Sequence, residues 1–287
     1  MDCTVVGFGK LGRALALRLL HDGSLKQIVS SHLAETQEAK LFQTNSVEIV
    51  PDVANLKHLT NVTFLTVRDS NISSIAEKLK TKFSEQLCQK IVLHCSAIFS
   101  DEILGSLAVF GAKTASAHPL QTFYEYHPNV FKDIYWIVQT SYFDEIKLIL
   151  EAIGGNAIKV DFTDNTRWIY HTSAVVASNF LNLLILFAKK LMAETKLEPK
   201  ILLPIIEQTL NNNKDKFDDV NFTPLTGPLT RSDLNTLKRH RESLAIHPDY
   251  AKIYSKLALS LSKVALLNNN ITFEEFVQIE KIFSTQE

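Results

Sequence analysis

Three glycines in the run Gly7-Phe8-Gly9-Lys10-Leu11-Gly12 are the first residues whose spacing bears on chemistry. An apolar run precedes them and a helix-period segment follows, so they sit at a strand-to-helix turn. Gly7 permits the tight turn, Gly9 lets the backbone approach a pyrophosphate, Gly12 allows close packing of helix on strand, and the helix N-terminus faces the phosphates. The reading is a dinucleotide site formed by Gly7, Phe8, Gly9, Lys10, Leu11 and Gly12. About 20 residues further on, an NAD-preferring fold usually places an acid for the ribose hydroxyls. Here Ser30, Ser31 and His32 stand instead, with no carboxylate before Glu35. Two hydroxyls and an imidazole suit a 2′-phosphate, so NADP is expected ahead of NAD. Val67 and Arg68 end the expected strand at 62–67 and should border the cofactor, although an arginine there also suits a solvated loop.

Hydride transfer asks the protein for positioning, for a group that gives or takes the accompanying proton, and for donors that polarise the reacting bond. Histidine is the natural carrier near neutral pH. His118 and Ser96 each follow an expected strand, which places both along the carboxyl edge of the sheet. His171 opens a long helix, with Ser178 and Asn179 seven and eight residues on and therefore on the same face. His118, His171, Ser96 and Asn179 are the candidate catalytic set. The competing readings are a His118 ring that fixes the loop before Pro119 and a His171 satisfied in a core. Arg231 and Asp233 are the candidate substrate-binding pair, because a guanidinium fork suits a carboxylate; the bland alternative is an interdomain salt bridge. Thr230 is expected to cap the next helix, with Asp233 at its third position. His94, Cys95 and His127 lack ligand-like spacing, and no metal site is expected.

The elements that must position these residues fall into two regimes. In the first half, short apolar runs at 3–8, 27–31, 62–67, 90–95, 114–117, 136–140 and 157–160 alternate with helix-period segments at 10–21, 72–83, 100–110 and 143–153. That is the rhythm of a parallel sheet covered by helices. After residue 163 the pattern turns helical, with a long segment at 165–194 followed by 199–211, 231–244, 250–268 and 273–282. The expected fold is α/β: an N-terminal Rossmann domain with a doubly wound, mostly parallel sheet over 1–162, then an all-α substrate and dimerisation domain over 163–287.

Thirty basic residues against 31 acidic ones leave a net charge of −1, so no global field favours nucleic acid or an anionic membrane. Three cysteines without CxxC spacing indicate neither a disulfide framework nor structural zinc and fit a reducing cytoplasm. The most apolar stretch, 174–188, is shorter than the ~20 residues of a membrane span and reads as a buried helix. Its apolar character on nearly all faces predicts a homodimer built through the helical half.

An ordered set of strings covers nearly the whole chain: GFGKLG (7–12), VRDSNI (67–72), HCSA (94–97), SAHPLQTF (116–123), YHTSAVVASN (170–179) and LTGPLTRSD (225–233). The set resembles the bacterial Rossmann-like oxidoreductases that carry the helical domain-of-unknown-function 2520. Their layout is similar to the pyrroline-5-carboxylate reductase and 6-phosphogluconate dehydrogenase group, in which the helical domain commonly builds a dimer and closes the active site. No substrate comes with the resemblance; with the missing acid after the second expected strand and the candidate site residues, the leading expectation is an NADP-dependent oxidoreductase acting on a small, carboxylate-bearing carbonyl, imine or alcohol. A cofactor-sensing protein without catalysis is the alternative, and a prephenate-type dehydrogenase, to which the Ser96 and His118-Pro119 segments are similar, is a second. The chain departs from the family at Ala97, where Gly is commoner, at Arg68-Asp69 in place of Pro-Asp, and at Ser232, where Arg-Gly-Asp is usual.

Overall fold

The computed structural model describes residues 1–127 and 129–284. Two compact units divide the chain, Met1–Phe180 and Leu181–Glu287.

The first unit is built on one sheet of eight strands in the order β3-β2-β1-β4-β5-β6-β7-β8. β1 (Cys3–Val6) leads into α1 (Lys10–His21), β2 (Leu25–Val29), α2 (Ala39–Thr44) and β3 (Glu48–Val50). β4 (Val62–Leu65), α3 (Ile72–Phe83), β5 (Ile91–His94), α4 (Gly105–Ala108) and β6 (Lys113–Pro119) extend the sheet on the other side of β1. β7 (Tyr135–Gln139), α5 (Phe143–Ala152) and β8 (Asn156–Lys159) finish it. All neighbouring pairs are parallel except β6 with β7, where His118 lies opposite Ile137 and Pro119 opposite Trp136. Every residue of β1, β4 and β5 is buried. That explains their unbroken apolar runs, because helices cover both faces of a parallel sheet and leave no polar side to alternate. Two clusters form the core on the two faces, one holding Val5, Phe64 and Leu93, the other Val6, Leu65 and Val92.

The expected Rossmann sheet is therefore present, with differences in detail. β3 has three residues, too short to stand out as an apolar run, and neither it nor α2 was expected. The segment 100–110 is not one helix: Asp101–Leu104 forms a 3₁₀ turn and α4 is a single short turn from Gly105.

Residues 1–162 were expected as one domain, whereas the first compact unit runs on to Phe180. The reason is α6 (Asp164–Val175), whose first turns are bonded to the sheet. Arg167, 4% exposed, donates from Nη1 to the Phe99 carbonyl at 2.9 Å and from Nη2 to the Gln139 side chain. Thr163 caps α6 by accepting from Thr166 N–H. After Val175 the helix widens through a π segment, Val176–Phe180, and continues as α7 (Leu181–Glu194). Together they make a 31-residue helical run, by length and composition long and apolar enough to cross a membrane. Counting only residues 174–188 understated it.

The second unit continues with α8 (Leu203–Lys214), α9 (Leu234–Ser243), α10 (Pro248–Leu267) and α11 (Phe273–Phe283). Its core gathers Leu229, Leu237, Ala258, Ala265 and Ile279. α11 starts on a reciprocal cap in which Thr272 accepts from Glu275 N–H and the Glu275 carboxylate accepts from Thr272 N–H. α7 is not the buried central helix its composition suggests. Phe187 alone is buried, while Leu183, Leu184 and Leu186 are 40–48% exposed.

Candidate functional site

The turn between β1 and α1 has the geometry its glycines imply. Gly7 has φ +98°, a conformation that side chains rarely adopt, and a Cβ there would lie 2.9 Å from the backbone of Thr66. A Cβ on Gly12 would lie 2.1 Å from the Gly7 carbonyl oxygen and 2.6 Å from Thr66 Oγ1. Thr66, at the head of the segment expected to border the cofactor, donates its hydroxyl to the Gly7 carbonyl at 2.8 Å and so ties the ends of β1 and β4 together. Gly9 differs from both, since a Cβ there would meet nothing within 4 Å. It faces open space at the start of α1, whose N-terminus has no side-chain cap and no acid in its first turn. Free N–H groups and the positive end of the helix dipole are left for an anion. The residues fit a dinucleotide, with the uncapped helix start as the phosphate cradle.

A cleft of about 670 Å³ opens from this turn, lined by Gly7, Phe8, Gly9, Ser30, Ser31, His32 and Val67. Ser30 Oγ accepts from Leu33 N–H, which holds the turn after β2, while Ser31 and His32 are exposed along the cleft. Two carboxylates unseen by the sequence reading also line it. Glu38 is paired with Arg13 at 2.6 Å. Asp52, just past β3, is paired with Lys78 at 2.5 Å and held below the usual carboxylate range, first by Ala54 N–H and then by Lys78. Each negative charge in the cleft thus has its own cation, and the cleft remains compatible with an anionic 2′-phosphate. Of the other expected cofactor residues, Leu11 packs on the core, Lys10 sits over the Tyr124 ring at 4.7 Å, and Arg68 is exposed outside the cleft lining.

Along the same carboxyl edge, the loop after β5 is tied down from three directions. The Phe99 carbonyl accepts from Ser116 Oγ at 3.0 Å and from Arg167 at 2.9 Å, and His94 Nε2 lies 3.0 Å from the Ser100 carbonyl. Ser96 N–H donates to His94 Nδ1, so the single hydrogen of a neutral His94 must sit on Nε2 and donate to Ser100. Burial pushes His94 down to about 4. His94 is a structural clamp. Ser96 Oγ accepts from Ile98 N–H, so the candidate catalytic hydroxyl is engaged in the same loop.

His118, at the end of β6, meets α6. Its Nδ1 lies 2.6 Å from Tyr170 Oη, with the two rings edge to face. Burial, reinforced by the nearby His171, pushes His118 down to about 4, and burial pushes the Tyr170 phenol up to about 12. His171 is half-buried with an Nδ1 that is sealed from solvent and has no partner. The sheet and α6 thus bring His118, Tyr170 and His171 together. The sequence singles out His171 rather than its neighbour Tyr170, because no spacing rule links Tyr170 to His118 across 52 residues. Asn179 is exposed, and its Oδ1 accepts from Ser178 Oγ.

In the helical unit, Asp233 is itself the cap of α9, accepting from Thr236 N–H and hydroxyl. This corrects the expectation that Thr230 caps with Asp233 at the third helical position: Thr230 instead donates to the Gly227 carbonyl. Ser232 has φ 52°, the left-handed conformation, which accounts for the glycine usual at this place. Arg231 is exposed beside Asp233.

Comparisons with known proteins match both halves. Residues 3–97 match the family described as NADP oxidoreductase coenzyme F420-dependent, and residues 139–261 match Domain of unknown function (DUF2520). The chain therefore carries the domain pair that its motifs resemble, and the matching N-terminal family names NADP, the cofactor expected from Ser30, Ser31 and His32. None of the curated proteins searched matches at a significant level. Among solved structures, BF3122 of Bacteroides fragilis, a protein assigned as an NADP oxidoreductase, is 22% identical, with a TM-score of 0.72 over 91% of this chain and 98% of that one. A reductive aminase from Aspergillus terreus in complex with NADPH and ethyl levulinate is 14% identical, with a TM-score of 0.64 over 98% of both chains. A pyrroline-5-carboxylate reductase from Coxiella burnetii is 14% identical, with a TM-score of 0.56 over 98% of both. At these identities the likeness is one of fold.

Gly9 and Gly12 should separate by experiment. Gly12→Ala forces backbone apart and is expected to cost about 3 kcal/mol or more in denaturant unfolding. Gly9→Ala, at an ordinary φ of −73° with open space ahead, should leave the unfolding midpoint within about 0.5 kcal/mol of the parent while weakening NADPH binding at least tenfold. Equal stability losses in both variants would contradict this division.

His94 also links stability to pH. Its folded pKa lies below the ordinary 6.5, so the unfolded chain binds the extra proton first. The stabilisation is complete above about pH 6.5 and declines as the pH falls from there towards 4. Between pH 7 and 5 the loss through His94 should be about 2 kcal/mol, at 1.36 kcal/mol per unit. Urea unfolding of His94→Gln at the two pH values should show a loss smaller by that amount, and an unchanged loss would refute the assignment.

Proposed function

We propose that the protein is an NADP-dependent oxidoreductase that moves a hydride between the nicotinamide and a small carbonyl, imine or alcohol bearing a carboxylate. The observation that carries this reading is the uncapped, glycine-walled start of α1 on the same sheet edge as the desolvated His118, Tyr170 and His171 group. NADP supplies the hydride when bound; Gly7 and Gly9 with the first turn of α1 would hold its pyrophosphate, and Ser31 and His32 its 2′-phosphate. His118 carries the proton that accompanies the hydride. Arg231 is our candidate for the substrate carboxylate. A protein that merely sensed cofactor would need the glycine turn but not a desolvated His118 bonded to a phenol with a second histidine beside it. The reductive aminase and pyrroline-5-carboxylate reductase with the same fold are enzymes of C–N chemistry, which supports the oxidoreductase class without choosing the substrate. Three unbridged cysteines, two of them buried, agree with work in the cytoplasm.

We further propose a homodimer through the helical unit, because Leu183, Leu184 and Leu186 leave apolar surface of α7 in water, which a second copy would cover.

Fluorescence titration should find NADPH bound at least tenfold more tightly than NADH. Equal or inverted affinities would defeat the NADP assignment, and no binding of either would defeat the function. Light scattering at micromolar concentration should return twice the chain mass, and a monomer would refute the dimer.

A further inference from the structure

The 2.6 Å contact between Tyr170 Oη and His118 Nδ1 fixes the position of a hydrogen as well as that of a ring. A phenol hydrogen partly withdrawn from water goes to an acceptor held at hydrogen-bond distance. Among the described residues, His118 Nδ1 is the one hydrogen-bond partner of the Tyr170 hydroxyl, so no other acceptor competes for its hydrogen. Tyr170 therefore donates, and Nδ1 accepts with its lone pair. A neutral imidazole has one hydrogen, which is left at Nε2. That nitrogen has no partner among the described residues, yet it is not one of the unpaired polar atoms sealed from solvent. The hydrogen at Nε2 is thus presented to accessible space at the carboxyl end of β6.

The charge environment agrees with the geometry. The groups acting on His118 are its own burial and His171, both of which oppose a positive ring; no carboxylate acts on it. At neutral pH the ring is uncharged.

We infer that Tyr170 is a positioning residue that locks His118 in the Nε2–H tautomer, and that the site is thereby built to reduce a neutral carbonyl, a small aldehyde or ketone, in preference to an iminium. This rests on the oxidoreductase reading above. As hydride adds to the carbonyl carbon, the C=O π pair moves to oxygen, where negative charge develops beside the Nε2–H bond. The oxygen takes the hydrogen from Nε2 while Nδ1 takes the phenol hydrogen of Tyr170, so the imidazole stays neutral with its hydrogen shifted from one nitrogen to the other. The ring returns to its resting tautomer when Nε2 recovers a proton from water and the Nδ1 hydrogen goes back to the tyrosinate 2.6 Å away, restoring the phenol. Net, one hydride and one proton convert C=O to CH–OH, with the reduced nicotinamide oxidised. An iminium carries its proton already and bears positive charge, which an N–H donor opposes and a carboxylate would favour. The direction of the Tyr170 hydrogen bond thus selects among the substrate classes left open by the fold.

The tautomer is measurable without cofactor or substrate. Long-range ¹H–¹⁵N spectra of the protein labelled at histidine, with the His118 signals identified by their loss in His118→Gln, should show the Nε2–H pattern at pH 7. Tyr170→Phe should move the tautomer ratio about five- to tenfold towards Nδ1–H, the equivalent of one lost hydrogen bond. An Nδ1–H or doubly protonated pattern in the parent protein, or an unchanged ratio in Tyr170→Phe, would overturn the positioning role. With NADPH, levulinate should be reduced faster than 2-methyl-1-pyrroline, and the reverse order would overturn the carbonyl assignment. Because the spectra are recorded on the apo protein, failure to bind NADPH would defeat the oxidoreductase reading while leaving the tautomer result to stand or fall by itself.

Discussion

The approach of α1 to the sheet at Gly12 governs the geometry of the cofactor half. With a Cβ excluded at 2.1 Å from the Gly7 carbonyl, helix and strand lie closer than any side chain would permit, and Thr66 closes the same corner from β4. That closeness brings the first turn of α1 over the ends of β1 and β4, with its N–H groups uncapped and facing the cleft. Gly9 then needs no conformational licence at all; its task is to leave the cradle empty. The motif is thus two different demands under one letter, steric compression at Gly12 and vacancy at Gly9.

The other end of the sheet edge obeys a different constraint, the cost of withdrawing polar groups from water. His94, Ser116 and Arg167 all bond to the loop 96–101, and Arg167 does so from α6, fastening the start of the long helix to the sheet. A buried guanidinium is tolerated because carbonyl and amide oxygens replace its water. That anchor sets where Tyr170, one turn further on, can meet His118. Neutral imidazoles follow from the same desolvation: His94 serves as a clamp with Nε2 on the Ser100 carbonyl, whereas His118 is bonded through Nδ1 to Tyr170 and has no partner on Nε2 among the described residues.

In the helical unit the local rules and the tertiary packing diverge. Asp233 caps α9 more effectively than Thr230 could, and Ser232 accepts a left-handed backbone at a cost of about 1 kcal/mol where glycine would have been free. α7 leaves its leucines exposed. Strong apolar character on nearly all faces is the pattern of a helix with partners on several sides, whereas within the chain Phe187 alone of α7 is buried.

By itself the sequence determined the sheet, the glycine turn, the absence of an acid at the end of β2 and the helical second half, because unbroken apolar runs, glycine spacing and helix period are local properties of neighbouring residues. It placed His118 and His171 on elements whose ends converge. What only the tertiary structure decided were contacts between residues far apart in the chain: Thr66 on Gly7, Glu38 and Asp52 entering the cleft with their own cations, Arg167 on Phe99, and Tyr170 on His118. β3 escaped notice because three residues carry no period, and with it went Asp52. Tyr170 escaped because a phenol on a helix is ordinary until an imidazole 52 positions away in sequence lies at hydrogen-bond distance, and that distance is set by the crossing of α6 over the sheet, which no local pattern encodes.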